Sequence, residues 1–218
     1  MKRHGLLISF EGVDGSGKST QAKLLYEYLQ KEHFRVRFIR EPGGTQISER
    51  IRKILLDPEI RDMGLRTELL LFLASRAELV EKVIAPAISK GEIVIADRFA
   101  DSTFAYQVFG RRLPNREVRL INNFAVSKIK PDLTFLVDMP PEAAHKRLNK
   151  TKDRMESENM QFHRRVRNGF LKLARSESQR IRLLDGRLSP DEIWKEVRST
   201  AMTLVLRRGI ATRAQSSN

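Results

Sequence analysis

Phe10-Glu11-Gly12-Val13-Asp14-Gly15-Ser16-Gly17-Lys18-Ser19-Thr20 decides how the rest of the chain is read. Gly12, four intervening residues and then Gly17-Lys18-Ser19 spell a phosphate-binding loop. The preceding Leu6-Leu7-Ile8-Ser9-Phe10 is short, apolar and β-prone, which predicts a buried strand. From Thr20 to Lys31 the apolar residues Ala22, Leu24, Leu25, Tyr28 and Leu29 recur at helical spacing. Strand, glycine loop and helix, in that order, are the context the motif needs. Glycines let backbone N–H groups turn inward around phosphate oxygens, and the new helix aims its positive end at the same anion. In such a loop Lys18 reaches the β- and γ-phosphates and the Ser19 hydroxyl binds Mg²⁺.

Working outward, Arg35-Val36-Arg37-Phe38-Ile39 alternates as a second strand and runs into the turn-rich Arg40-Glu41-Pro42-Gly43-Gly44-Thr45. A short helix is expected from Ser48 to Leu56, then a long amphipathic one from about Arg66 to Ser89, bent or shortened near Pro86. Glu92-Ile93-Val94-Ile95-Ala96 is nearly continuous in apolar residues, as in a parallel sheet covered on both faces, and stops at Asp97-Arg98. Helices from Thr103 to Phe109 and from Asn115 to Val126 precede a fourth strand, Leu133 to Val137. Pro140-Pro141 opens another helix, and the basic run Lys146 to Arg154 lacks apolar periodicity and reads as an exposed, mobile loop. A helix from about Glu156 to Ala174 and a strand from Ile181 to Leu184 follow. Ser189 caps the final helix, with Pro190 in its first turn, and the basic tail from Arg207 to Asn218 is expected to fray.

Strands alternating with helices predict an α/β domain with a parallel sheet, and function then gathers at the carboxyl ends of the strands. The phosphate loop, Arg40-Glu41 and Asp97-Arg98 all fall at such ends. Asp97 is placed to help hold Mg²⁺. Arg40, Arg52, Arg76 and Arg98 are candidates to grip a second anion facing the first. No Asn-Lys-x-Asp guanine-reading motif occurs, which argues against a GTPase.

With 218 residues and 40% hydrophobic content the chain can bury an ordinary core as one domain. It has no Cys, so disulfides and Cys-based metal sites are excluded. The basic start Met1-Lys2-Arg3-His4 precedes too few apolar residues for a signal peptide, and no run approaches the length of a membrane span. A cytoplasmic protein without membrane association is expected. The net charge of +14 is concentrated between His145 and Arg182, where twelve Lys/Arg meet four Asp/Glu. Such clustering points to an anionic partner, nucleotide phosphates or nucleic acid. No recognition helix or aromatic-rich binding face supports the latter, so no nucleic-acid partner is expected.

From about Leu7 to about Lys195 the chain resembles the thymidylate kinases, in their bacterial form. The loop Phe10 to Thr20, Arg40-Glu41-Pro42-Gly43-Gly44-Thr45, Leu71-Phe72-Leu73-Ala74-Ser75-Arg76, Asp97 to Gln107, and Asp153-Arg154-Met155-Glu156 carry the resemblance. It implies a three-layer P-loop nucleoside-monophosphate-kinase fold with a five-stranded parallel sheet. One domain would span residues 1–206, with a lid at about 146–156 and a tail at 207–218 for which the family offers no counterpart. The implied reaction moves the γ-phosphoryl of ATP to dTMP, giving dTDP and ADP, with Mg²⁺ as cofactor and a homodimer formed through helices.

The resemblance also implies residue roles. Lys18, Asp97, Arg98 and Arg154 would be catalytic, with Ser19 and Asp97 at the metal. Gly12, Val13, Asp14, Gly15, Ser16, Gly17, Lys18, Ser19, Thr20 and Arg147 would hold ATP. Phe72 would stack on thymine, with Arg76, Thr103 and Gln107 near its polar edge. Tyr106 would crowd the place of a ribose 2′-hydroxyl, and Asp14 would approach the 3′-hydroxyl. Arg40, Arg52 and Arg98 would surround the monophosphate, while Arg147 and Arg154 close over the ATP phosphates. Gly15 stands where the eukaryotic branch carries Arg, the lid is short, and Phe99 replaces the commoner Tyr.

Overall fold

The computed structural model describes residues 5–148 and 153–212. The readings made for Met1 to His4, for Lys150 and Lys152 in the lid, and for the tail beyond Thr212 lie outside the described residues.

The apolar run ahead of the phosphate loop forms β1, Leu6–Glu11, buried along its whole length. It is the middle strand of a parallel sheet with β2 (Val36–Arg40), β3 (Ile93–Asp97), β4 (Leu133–Asp138) and β5 (Ile181–Asp185), in the order β2-β3-β1-β4-β5. Side chains alternate between the two faces. Leu6, Ile8, Phe10, Ile93, Ile95, Phe135 and Val137 pack under α1 (Lys18–Lys31) and α9 (Pro190–Arg207). Leu7, Val94 and Ala96 face the other way, onto the helical run that starts with α3 (Leu65–Leu79). Helices on both faces make three layers, which is why these strands read as continuous apolar runs.

Three helical segments depart from the expected form. The long helix is not cut short at Pro86. It widens over Val80–Ile84, where Ala85 N–H reaches back to Val80 O, and continues as α4, Ala85–Ser89. That widened turn accommodates a residue with no N–H to give. The helix expected at Thr103 to Phe109 is α5 (Ala100–Thr103) running into a π segment, Phe104–Gly110, closed by Arg111 N–H to Tyr106 O at 2.8 Å. The helix expected from Glu156 begins later, as α8 (Met160–Ser176). Asp153 takes the N–H groups of Met155 and Glu156 into a turn, and Asn159 caps the helix by accepting from Phe162 N–H.

α2 (Gln46–Leu56), α6 (Asn115–Ala125) and α7 (Pro141–His145) complete the layers. Ser189 caps α9 as expected, with Pro190 in its first turn, and Glu192 completes a reciprocal capping box. The tail does not fray at once. Arg208 pairs with Asp132 at 2.5 Å, and Ile210 packs on the core beneath α9.

Candidate active site

Strand register brings the polar clusters level. Phe10 and Arg40 both lie opposite Asp97, so the phosphate loop, the β2 loop and the end of β3 leave the sheet at one height. Gly12, Gly15 and Gly17 have φ of 144°, 83° and 96°, the left-handed side that only glycine adopts without strain. A Cβ on Gly12 would stand 2.5 Å from Val137 O, so the loop lies directly against the end of β4. Gly17 opens α1 without any side-chain cap, which leaves the first N–H groups of that helix for an anion. Val13 is buried in the core and Ser16 is buried below the loop. Thr20 is exposed on the rim of a depression of about 480 Å³ that the loop shares with Arg147.

Five polar side chains lock together above this loop. Arg98 donates from Nη2 to Asp14 Oδ1 at 2.6 Å and to the Tyr106 hydroxyl at 3.0 Å, and from Nη1 to Ser102 Oγ at 3.2 Å. Lys18 Nζ donates to the same Asp14 oxygen at 3.1 Å, and Tyr106 O–H donates to its other oxygen at 3.2 Å. Burial alone would raise the Asp14 pKa, but Arg98 and Lys18 outweigh it and hold the carboxyl far below the usual range. Burial works against the Arg98 charge too, and Asp14, Tyr106, Glu11 and Asp97 together more than offset it, so Arg98 is held firmly protonated. Burial, reinforced by Asp14, pushes the Tyr106 phenol up, so it stays neutral.

Arg98 sits at φ 73°, an uncommon state for a residue with a Cβ. Its own N–H bonds Phe10 O at 3.0 Å, and the next N–H, of Phe99, bonds Glu11 Oε1 at 2.8 Å. Two fixed peptides therefore hold the strained residue, with its guanidinium over the phosphate loop.

Arg76 forms the floor beside this group. Nε and Nη2 reach Glu41 Oε2 at 2.8 and 2.6 Å, Nη2 also reaches Phe99 O at 3.1 Å, and Nη1 reaches Thr103 Oγ1 at 2.5 Å and Asn122 Oδ1 at 2.8 Å. All five of its N–H groups are engaged, and Thr103 Oγ1, which accepts, keeps its own proton to donate.

These groups open on one cleft of about 280 Å³. Asp14, Lys18, Ser19, Asp97 and Arg98 line its phosphate-loop end. Phe72, Arg76, Thr103, Tyr106 and Gln107 line the other, and Arg40 and Arg52 close the side. Phe72 is half-buried, with one side on the core formed by α3, α6 and α8. Burial first, and then the adjacent Arg40, lower the Arg52 pKa. Arg40 itself pairs with Glu49 at 3.3 Å, while Arg52 donates to Pro42 O at 2.7 Å. Asp97 Oδ1 is buried without a partner, in the same cleft as the Ser19 hydroxyl. These hard oxygen donors fit Mg²⁺, which needs few protein ligands when phosphates supply the rest. Among the described residues no cluster of three or more His, Cys, Asp or Glu stands ready to hold a metal alone.

Arg147 lines only the depression beside the phosphate loop, and Arg154, expected to be catalytic, does not line the cleft. Its neighbours Asp153, Met155 and Glu156 line it, while Arg154 donates backward to Leu55 O at 2.8 Å and Glu68 Oε2 at 2.8 Å. Just past the run from Lys146 to Arg154 that reads as an exposed loop, Met155 and Glu156 are buried. Several other arginines of the basic stretch are paired within the chain, some of them at the surface. Arg164 pairs with Glu142, Arg167 with Asp138, and Arg180 with Asp101.

Reading the sequence alone gave no role to the carboxylates behind the site. Glu11 accepts from Phe99 N–H and from Ser102 at 2.6 Å, Glu41 orients Arg76, and Glu68 gathers Gln107, Arg111 and Arg154. Glu11 carried one signal, a charge ending an otherwise apolar strand. Glu68 carried another, one turn before Phe72 and two before Arg76 on the same helix face.

A family model described as thymidylate kinase matches residues 10–197. The chain is 44% identical over 211 residues to a thymidylate kinase of Symbiobacterium thermophilum, covering 95% of this chain and 99% of that one. It is 47% identical over 194 residues to that of Kosmotoga olearia, covering 88% and 93%. The crystal structure of thymidylate kinase from Ehrlichia chaffeensis superposes with a TM-score of 0.75 at 33% identity, over 90% of this chain and 98% of that one.

Proposed function

The chain belongs to the thymidylate kinase family, and from that membership we propose how its cleft moves the γ-phosphoryl of ATP onto dTMP, yielding dTDP and ADP on the way to dTTP. One observation carries the assignment of roles: Lys18, Arg98 and Arg76, distant in sequence, open on a single cleft with Asp14, Ser19 and Asp97.

ATP lies along the phosphate loop, with its β- and γ-phosphates on the open N–H groups of α1 and on Lys18, and Arg147 over them from the lid. dTMP fills the opposite end. Phe72 stacks on the base, Thr103 and Gln107 meet its polar edge, and Arg76 holds Thr103 for that purpose. Tyr106, fixed between Asp14 and Arg98, leaves no room for a 2′-hydroxyl, and Asp14 keeps a lone pair on Oδ2 for the 3′-hydroxyl. Arg40, Arg52 and Arg98, which line the cleft together, take the monophosphate, for which the planar guanidinium fork is suited.

A phosphate monoester has a second pKa of about 6, so the acceptor is already a nucleophile at neutral pH and needs no general base. What the protein supplies is charge neutralisation and an in-line approach of two polyanions. Ser19 and Asp97 would hold Mg²⁺, which would supply positive charge to the phosphates when bound. Arg154 anchors the lid on Glu68 and Leu55, and closure of that lid excludes water from the γ-phosphoryl group.

Residues 1–206 act as one kinase domain with its lid at 146–156, in the cytoplasm. Two copies pair through α2, α3 and α6, which together expose Ile47, Ile54, Leu70, Leu120 and Phe124. Coupled ADP release with dTMP, dUMP, dCMP, dGMP and AMP as acceptors tests the assignment. dTMP is the preferred acceptor, and Lys18→Ala lowers its turnover by orders of magnitude with the fold retained. Strong preference for another acceptor, or near-normal turnover in Lys18→Ala, would sink it.

A further inference from the structure

Glu68 lies on α3 and is fully buried, and it does not itself line the cleft. Its two oxygens accept four hydrogen bonds. Oε1 takes Gln107 Nε2 at 3.1 Å and Arg111 Nε at 3.0 Å, and Oε2 takes Arg111 Nη2 at 2.7 Å and Arg154 Nη1 at 2.8 Å. Burial opposes its charge, but the bonds from Arg111, Arg154 and Gln107 prevail and keep the carboxyl below its ordinary pKa. A carboxylate in that state only accepts. The end of the Gln107 side chain that faces it is therefore the NH₂ group, whatever else the amide does. Gln107 lines the cleft, so its carbonyl oxygen is the end left for a ligand.

We propose that Glu68 sets base specificity as a positioning residue: by claiming Nε2 of Gln107 it presents that amide's oxygen to the cleft and so selects a base whose ring N3 carries a proton. The inference rests on Gln107 lying at the polar edge of the base, as argued above. Thymine offers N3–H as a donor to that oxygen. Cytosine offers a lone pair at N3, and two acceptors would face each other. Thr103 alone does not make this choice, because a hydroxyl can turn to donate or accept.

Glu68→Gln tests it. The new amide has one oxygen for four donors. Turning that oxygen to Arg111 Nη2 and Arg154 satisfies two cations, and its NH₂ then meets Gln107. Gln107 answers by flipping, which puts its own NH₂ into the cleft. The ratio of kcat/KM for dTMP to that for dCMP is the readout, because any damage to the lid or to phosphate binding lowers both acceptors alike and cancels. The ratio should fall at least tenfold in Glu68→Gln, about the effect of one mismatched hydrogen bond, and stay within threefold of wild type in Glu68→Asp, which still only accepts. A ratio unchanged in Glu68→Gln overturns the proposal.

Gln107→Met separates the two readings. If it leaves the ratio intact, Gln107 does not read the base and both fall together. If it lowers the ratio while Glu68→Gln does not, only the role of Glu68 is lost. Should Glu68→Gln fail to fold, wild-type protein labelled with ¹⁵N-glutamine answers instead. One Gln107 side-chain N–H must be shifted downfield and protected from exchange without ligand, and two freely exchanging protons would refute the proposal.

Discussion

Replacing Gly15 by Ala puts a methyl group where the phosphate loop meets the root of the lid. Gly15 has φ 83°, so an Ala there is strained by about 1 kcal/mol before any contact is considered. Its Cβ would also lie 2.1 Å from Ala144 O and 2.8 Å from Ala144 C, both main-chain atoms of α7 that cannot swing aside. Loop and helix must part by about 1 Å, an overpacking penalty of about 1–3 kcal/mol. Gly17 is the internal control. Its φ of 96° imposes the same strain, but a Cβ there meets nothing within 4 Å. Urea unfolding of the ligand-free proteins should therefore show Gly17→Ala destabilised by about 1 kcal/mol and Gly15→Ala by about 2–4 kcal/mol. At this chain length the second corresponds to a fall in Tm of roughly 4–16 °C. Because α7 leads to Arg147, Gly15→Ala should also raise KM for ATP well above any change in KM for dTMP. Equal stability of the two variants would show that loop and α7 do not touch as described, and the account of how the lid is rooted would fail.

Phe72→Ala should raise KM for dTMP roughly 5- to 150-fold, the worth of one aromatic–base stack, with KM for ATP within about twofold of wild type. If thermal stability drops and both constants hold, Phe72 serves only the core beneath it. The pH dependence of stability should carry the mark of His163. It is buried, edge-on to His145 with ring centroids 4.5 Å apart. Burial first, and then His145, depresses its pKa below 6.5. The unfolded chain thus binds a proton that the folded one refuses, so this group's contribution is complete above pH 6.5 and is lost as pH falls below it. Tm measured from pH 8 to pH 5 should decline more steeply in wild type than in His163→Leu. Parallel curves would mean that His163 takes up its proton in the folded state.

Much of the architecture was legible because its signals are local. An apolar run before Gly12 can hardly be anything but a buried strand, and Ser189-Pro190-Asp191-Glu192 writes its own helix start. The glycine spacing that admits φ above zero is likewise a property of consecutive residues, which is why the phosphate end of the site could be named residue by residue. The acceptor end was legible only through family resemblance. Phe72, Thr103 and Gln107 are ordinary helix residues whose periodicity fits a core equally well, and Phe72 both lines the cleft and packs against that core.

What the chain's own order determined, then, was the succession of strands and helices, the anion-binding loop, and the carboxyl edge where cations would meet. Tertiary structure decided which charges remain available there. Arg154 looked free in sequence and is tied to Glu68, 86 positions away, while Arg98 is held in a left-handed conformation by the end of β1 and by Glu11. Helical and strand periods report which face a residue occupies, but a buried charge is settled by whatever partner the sheet order and register bring within hydrogen-bonding distance. That partner stands far off in sequence, where no local pattern can reach it.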